Sequence, residues 1–275
     1  ATVLRDGIWM EDVSIAWNVS AESEDERTKS REAARRGEQQ DREDTLSSAS
    51  PLGGGEEEKV KCYPPPILEG LTVKIDAGSL VGVEGKVGSG KTSLLLAMMG
   101  EIAPSRGRMK SLRQFPDAVA WVPQNPWIFN ASLRENILLG RKWEEEKYRR
   151  VCEACALNED LVLLPRGDLT RIGERGVNLS GGQKQRLSLA RAAYSSSAFV
   201  LLDDPLAALD MKVRLHVWKH CICGLMLDAT RIIVSHDEFV LKNCNKLLHL
   251  EHGSMTVSGD YYSLHEATSA GTMEE

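Results

Sequence analysis

A chain of 275 residues with 42% apolar and 27% charged side chains can bury a sizeable core and has the balance of an ordinary globular protein. No run of about 18 apolar residues occurs, which excludes a membrane-spanning helix within it; the longest apolar stretch is Leu94 to Met99. A formal net charge of −6 weighs against a nucleic-acid partner, which would call for a clustered basic surface.

The chain begins at Ala1 with neither a basic n-region nor an apolar h-region, so no secretory signal is expected and it reads as a piece of a longer protein. Six cysteines include a C-x-x-C (Cys152, Cys155) and a C-x-C (Cys221, Cys223), in principle four zinc ligands. Cys152 and Cys155 fall inside the helix-like VCEACAL rather than at a knuckle turn, so reduced thiols are the expectation. The sequons at Asn18, Asn130 and Asn178 are chance matches without a secretory route.

Taken in chain order, GIWMEDVSIAW and ILEGLTVKIDAGSL both carry short strand-like alternation. Between them, residues 20–61 hold only Leu46, Leu52 and Val60 as large apolar side chains and no aromatic. Such a stretch cannot bury enough apolar surface to offset its ordering entropy, and a disordered insertion over 20–62 is expected. From Ser20 to Cys62 there are 12 acidic and 8 basic residues, so −4 of the net −6 lies there and the remainder is close to neutral. Its serines and threonines, among them Thr28, Ser30 and Ser50, offer phosphorylation sites, as Ser-rich disorder generally does.

Next comes SLVGVEGKVGSGKTSLLLAMMGE, an apolar strand, a glycine-rich loop and a helix. It contains G-x-x-x-x-G-K-[ST] as Gly85, Gly90, Lys91 and Thr92, in the strand–loop–helix context that the motif requires. Glycines let consecutive N–H groups point inward and the helix N-terminus adds positive partial charge, so such a loop cradles α- and β-phosphates. Lys91 places a point charge at the β- and γ-phosphates, and the Thr92 hydroxyl is a magnesium ligand. Further on, FVLLDDPLAALD is an apolar run ending in Asp203 and Asp204. Phe199 to Leu202 reads as a buried parallel strand that delivers both acids to its C-terminal edge. A strand ending in Asp beside a phosphate loop holds the magnesium shell, and the following residue is where a base for water sits. His216 and His220, i and i+4 on an expected helix, read as a solvated face rather than a metal site. Residues 246–265 read as a terminal hairpin and helix start, with Tyr261 and Tyr262 as packing residues.

LSGGQKQRLSLARA at 179–192, with KVGSGKTS upstream, FVLLDD downstream and IIVSHD at 232–237, resembles the ATP-binding cassette (ABC) family. WVPQNPWIFNASLRENILLG and IGERGVNLSGGQKQR are similar to its C subfamily, which includes the multidrug resistance-associated proteins, the sulfonylurea receptors and the cystic fibrosis chloride channel. The resemblance covers nearly all of the chain outside 20–62 and is to the first of two nucleotide-binding domains.

It implies an α/β fold: a P-loop NTPase, RecA-like core at 79–128 and 181–251, a small antiparallel β subdomain at 1–19 and 63–78, a helical signature subdomain at 129–180, and a C-terminal hairpin and tail at 252–275. The ligands implied are ATP and Mg²⁺. Nucleotide contacts fall on Trp17, stacked on adenine; on Gly85, Val87, Gly88, Ser89, Gly90, Lys91, Thr92 and Ser93; and on Asp203. Ser180, Gly181, Gly182 and Gln183 match the segment that closes over the γ-phosphate of a second, facing domain. Asp210 matches the loop that communicates between the two sites. Gln124 matches the residue near magnesium and the attacking water, and His236 the switch histidine. The metal set is Thr92, Gln124 and Asp203, and the catalytic set Asp204, His236 and Gln124.

Asp204 stands where the family's general pattern has Glu and agrees with the first domain of the C subfamily. One methylene less leaves the carboxylate roughly 1 Å short of the water, so binding without brisk turnover is expected. The implied partners are a second nucleotide-binding domain and transmembrane domains at the cytosolic face of a membrane, with no nucleic acid. The functional alternatives are an ATPase driving export and a nucleotide-sensing module of a channel or channel regulator.

Overall fold

A computed structural model of the protein describes residues 7–16, 66–173, 179–259 and 261. Trp17, the expected insertion at 20–62, residues 174–178 with Asn178, and Tyr262 lie outside the described residues. Strands β1 (Ile8–Ile15) and β2 (Leu68–Ile75) are followed by β3 (Leu80–Gly85), helix α1 (Lys91–Met99), β4 (Pro104–Met109) and β5 (Val119–Val122). Helices α2 (Leu133–Leu138), α3 (Glu145–Ala154), α4 (Asn158–Leu163) and α5 (Gly181–Ser195) come next. Then follow β6 (Phe199–Asp203), α6 (Met211–Val217), a π-helical stretch Trp218–Leu225, β7 (Thr230–Val234), α7 (Glu238–Lys242), β8 (Lys246–Glu251) and β9 (Ser254–Ser258).

The main sheet has the order β5-β6-β7-β3-β8-β9, with every pair parallel except β8-β9. Its strands are apolar on both faces because both faces are covered, as parallel sheets require. Side chains alternate across the sheet with period two. Val81, Val83, Phe199, Leu201, Ile232 and Val234 pack with Leu94, Leu95 and Met98 of α1 and with the small sheet. Leu80, Val200, Leu202 and Ile233 face the opposite way, onto Leu187, Leu189 and Tyr194 of α5 and onto the helices before it. Each such fully buried large side chain contributes about 1.5–3 kcal/mol. A cation lies inside this apolar pattern: Arg231 of β7 is 3% exposed and donates to the carbonyls of Ala229, Ile222 and Gly78 at 3.0–3.2 Å. It ties the π-helical stretch to the sheet edge opposite the C-terminal strand ends.

The small sheet has β1 between β2 and β4, all antiparallel. This corrects the sequence reading in one respect, since Pro104–Met109 was expected in the core segment 79–128. PSRGRM is a polar edge strand exposed along most of its length, so it lacks the apolar alternation by which a strand is recognised. The terminal hairpin expected within 246–265 is formed by β8 and β9, of which β8 belongs to the main sheet and β9 extends it.

Register shifts on both sides of β1 between Met10 and Val13–Ser14 place a bulge at Asp12, whose φ is 50°. Gly107 of β4 lies against it with φ 84°, and a Cβ there would stand 2.1 Å from the Asp12 carbonyl oxygen. Gly107→Ala should therefore destabilise the protein clearly more than Gly78→Ala, which meets no atom within 4 Å and bears only the left-handed backbone cost of about 1–2 kcal/mol. Urea denaturation of the two variants side by side checks the ordering.

Candidate functional site

The C-terminal ends of three adjacent strands, β6, β7 and β3, open on one side of the sheet, which is where open parallel sheets bind ligands. β3 ends at Gly85, where a Cβ would lie 2.3 Å from the Leu250 carbonyl oxygen on β8. Only a residue without a side chain lets β8 run that close to the start of the loop. Gly88 and Gly90 also have positive φ, and Gly90 caps α1 with no side-chain hydrogen bond and no acidic residue in the first turn. The first N–H groups of α1, with the positive end of its dipole, therefore face the loop without a competing side-chain anion.

Lys91 Nζ donates to the carbonyls of Gly85 at 2.7 Å and Lys86 at 2.8 Å. Burial lowers its pKa, while Asp203 and Asp204 raise it. Thr92 Oγ1 donates to Asp203 Oδ2 at 2.8 Å. Asp203 is 4% exposed, and burial raises its pKa against the opposing pull of the Thr92 hydrogen bond and the Lys91 charge. A hydroxyl and a carboxylate at this spacing are hard oxygen donors of the kind Mg²⁺ takes, and Gln124 adds an amide oxygen to the same cleft. These residues thus fit a magnesium ion.

Asp204 adopts φ 47°, and its backbone N–H donates to the Val234 carbonyl at 3.0 Å. The left-handed conformation is a strained one for a residue other than glycine, held here by the neighbouring strand. Burial raises the Asp204 pKa, and His236 is foremost among the groups that lower it.

The structure brings Val87, Gly88, Gly90, Lys91, Thr92, Ser93, Gln124, Asp203, Asp204 and His236 around one cleft of about 410 Å³. Ile67 and Val234 line it too, and sequence reasoning passed over both. Val234 was available as the last residue of an apolar strand, whereas nothing local marks Ile67, which reaches the cleft because β2 starts beside Gly90. Gly85 lies behind the cleft as an acceptor for Lys91, and Ser89 Oγ is buried without a hydrogen-bond partner. The first corner of the loop carries two further contacts with no sequence signal, Lys86 to Glu251 and Glu84 to His249, each at 2.8 Å.

Ser180, Gly181, Gly182 and Gln183 do not line this cleft. Ser180 caps α5 in a reciprocal box: its Oγ accepts from the Gln183 N–H at 3.2 Å, and Gln183 Oε1 accepts from the Ser180 N–H at 2.8 Å. Gln183 Nε2 donates to Asp160, which is ion-paired to Arg186 at 2.7 Å. The N-terminus of α5 is thereby held by its own cap and by Asp160, outside the cleft. Asp210 caps α6 by accepting from the Val213 N–H at 3.0 Å. Ser180→Ala should cost about 1 kcal/mol of stability through the lost cap, measurable as a lower unfolding midpoint in urea.

Outside this region, Cys155 and Cys221 are buried with their sulfurs 3.5 Å apart, and their contact, with burial, raises the Cys155 thiol pKa. His216 and His220 lie ring against ring at 4.6 Å between centroids, and His216 Nε2 is 2.8 Å from the Glu153 carbonyl oxygen.

A family model described as ABC transporter matches residues 68–207. Human ATP-binding cassette sub-family C member 4 is 46% identical over 201 residues, covering 73% of this chain and 15% of that protein. Human member 3 of the same sub-family is 43% identical over 202 residues, 73% of this chain and 13% of that one. ABC transporter C family member 13 of Dictyostelium discoideum is 44% identical over 202 residues, 74% and 15%. The chain therefore spans well under a fifth of the length of the curated relatives it matches.

Proposed function

Since the chain belongs to the ABC transporter family, with C-subfamily nucleotide-binding regions as its relatives, we propose that it binds Mg-ATP as the first of two nucleotide-binding domains of a membrane exporter. It lies at the cytosolic face of the membrane and pairs with the second domain to drive transport. The observation that carries this reading is the convergence of Lys91, Thr92, Asp203, Asp204, Gln124 and His236 on one cleft at adjacent strand ends.

The phosphates lie along the loop from Val87 to Gly90, whose backbone N–H groups and helix N-terminus stabilise negative charge. Lys91 exchanges two neutral carbonyl partners for phosphate oxygens, a stronger charge-assisted contact. Thr92, Asp203 and Gln124 would hold a magnesium ion, which would supply neutralisation of the β- and γ-phosphate charge. His236 faces the γ-phosphate. Asp204 polarises the attacking water from a carboxylate one methylene short, so turnover at this site is weak. Ser180 to Gln183, capped and outside this cleft, complete the nucleotide site of the facing domain rather than this one.

The short Asp204 also supports a second reading, a nucleotide-sensing regulatory domain of a channel or channel regulator, in which binding alone is the signal. Coupled substrate movement and ATP turnover in the full-length protein favour the exporter; nucleotide-dependent current favours the sensor.

Lys91→Ala should abolish Mg-ATP binding in an equilibrium binding measurement, and unchanged affinity would place the triphosphate elsewhere. Asp204→Glu in the full-length protein should raise ATP hydrolysis, by up to about a hundredfold if reach alone limits the rate. No gain in phosphate release would show that the slow step is another one.

A further inference from the structure

Asp204 and His236 sit on loops that leave different strands, so something must hold those loops in mutual register for both groups to meet one phosphate. The guanidinium of Arg214, on α6, reaches both. Its Nη1 donates to Asp237 Oδ2 at 2.7 Å, the residue directly after His236, and its Nη2 donates to the Leu209 carbonyl at 3.2 Å, on the loop that follows Asp204. Both ends of each contact are themselves fixed. Asp237 Oδ1 caps α7 by accepting from the Phe239 N–H at 2.9 Å, and the Asp237 N–H donates to Ser235 Oγ at 3.0 Å. The Leu209 N–H donates to the Leu206 carbonyl at 3.1 Å, and the Arg214 N–H to that of Asp210 at 2.8 Å. The Arg214 and Asp237 side chains are only about a quarter exposed, at 24% and 26%, so water screens the pair less than an ordinary surface bridge. Arg214 also borders a second cavity, of about 260 Å³, between these loops, into which Asp204 and His236 both extend from the main cleft.

We infer that Arg214 is a positioning residue: by joining Asp237 to the Leu209 carbonyl it sets the spacing between Asp204 and His236, and so governs how fast bound ATP is hydrolysed without itself touching the nucleotide. A second point of attachment already exists at the strand ends, where the Asp204 N–H meets the Val234 carbonyl. That bond fixes where the two loops start; Arg214 fixes them further out, where His236 and the Asp210 turn lie.

This inference rests on the nucleotide reading above, and the test separates the two. In the full-length protein, a radiolabelled photoreactive ATP is cross-linked to this domain, recovered by limited proteolysis, and scored for affinity and for single-turnover conversion to the diphosphate. Arg214→Ala should slow conversion between about tenfold and a hundredfold, the range expected for a displacement of ångström size, with affinity within about twofold of the natural protein. Arg214→Lys, which keeps the charge but not the two-pronged geometry, should fall between them. Asp237→Asn should slow conversion in the same way while keeping its cap on α7, and the double variant should be no slower than Arg214→Ala alone. Equal conversion by Arg214→Ala and the natural protein, a loss of affinity matching the loss of rate, or additive effects in the double variant would overturn the inference. If Arg214→Ala fails to fold, Arg214→Lys and Asp237→Asn decide by the same criteria. Failure of the natural protein to take up label would instead overturn the nucleotide reading.

Discussion

The parallel pairing of Phe199–Asp203 with Thr230–Val234, and of that strand with Leu80–Gly85, is the constraint from which the site follows. Parallel neighbours point all their C-terminal ends the same way, so three loops from distant parts of the sequence leave the sheet side by side. One carries the glycine turn and Lys91, one Asp203 and Asp204, and one His236. The Thr92–Asp203 hydrogen bond then spans 111 residues of sequence, from the helix that follows β3 to the end of β6, past the end of the intervening β7. A slip of one residue in β6 would either carry Asp203 into the buried Leu202 position or put Leu202 where Asp203 meets Thr92, so the packing that holds the sheet together also specifies the register of the chemistry.

That precision has costs that the surrounding structure must offset. Asp203, Asp204 and Lys91 are all displaced from their ordinary ionisation by burial, in each case toward the neutral form. Asp204 additionally holds a left-handed backbone, worth about 1–3 kcal/mol of strain. Each opposite-charge neighbour returns part of this, since Lys91 stabilises both carboxylates and His236 stabilises Asp204. The apolar layers above and below the sheet supply the remainder. Concentrating strain and desolvated charge at one strand edge is characteristic of sites that work on a ligand rather than of sites that only stabilise a fold.

The legible parts of the sequence were those where one physical requirement acts locally. Phosphate-loop glycines and the apolar runs of β3, β6 and β7 each follow from backbone geometry or burial within a few residues. What stayed hidden depends on partners far along the chain. Pro104–Met109 forms a strand because β1 offers it an edge, not because PSRGRM favours one. Ile67 lines the cleft only because β2 happens to begin beside Gly90. Arg214 and Asp237 are 23 residues apart on different elements, and neither is distinguishable by type from a solvated charge. Gln124 and His236 were reached through resemblance, as a lone Gln or His carries no local signature of its own.

The length of the carboxylate at 204 matters more in this structure than at an ordinary loop position. Were its backbone free, a one-methylene deficit of roughly 1 Å would be absorbed by a small shift of the loop, with little effect on rate. Here the Asp204 N–H is bonded to Val234, the preceding residue is locked in β6, and the chain beyond is tied through Leu209 to Arg214. A backbone held on both sides leaves side-chain reach as the one adjustable quantity. On the reading proposed above, the same rigidity that brings the acid to the cleft would keep it from closing the gap, so that binding and hydrolysis would be separable at this one position without disturbing the phosphate loop.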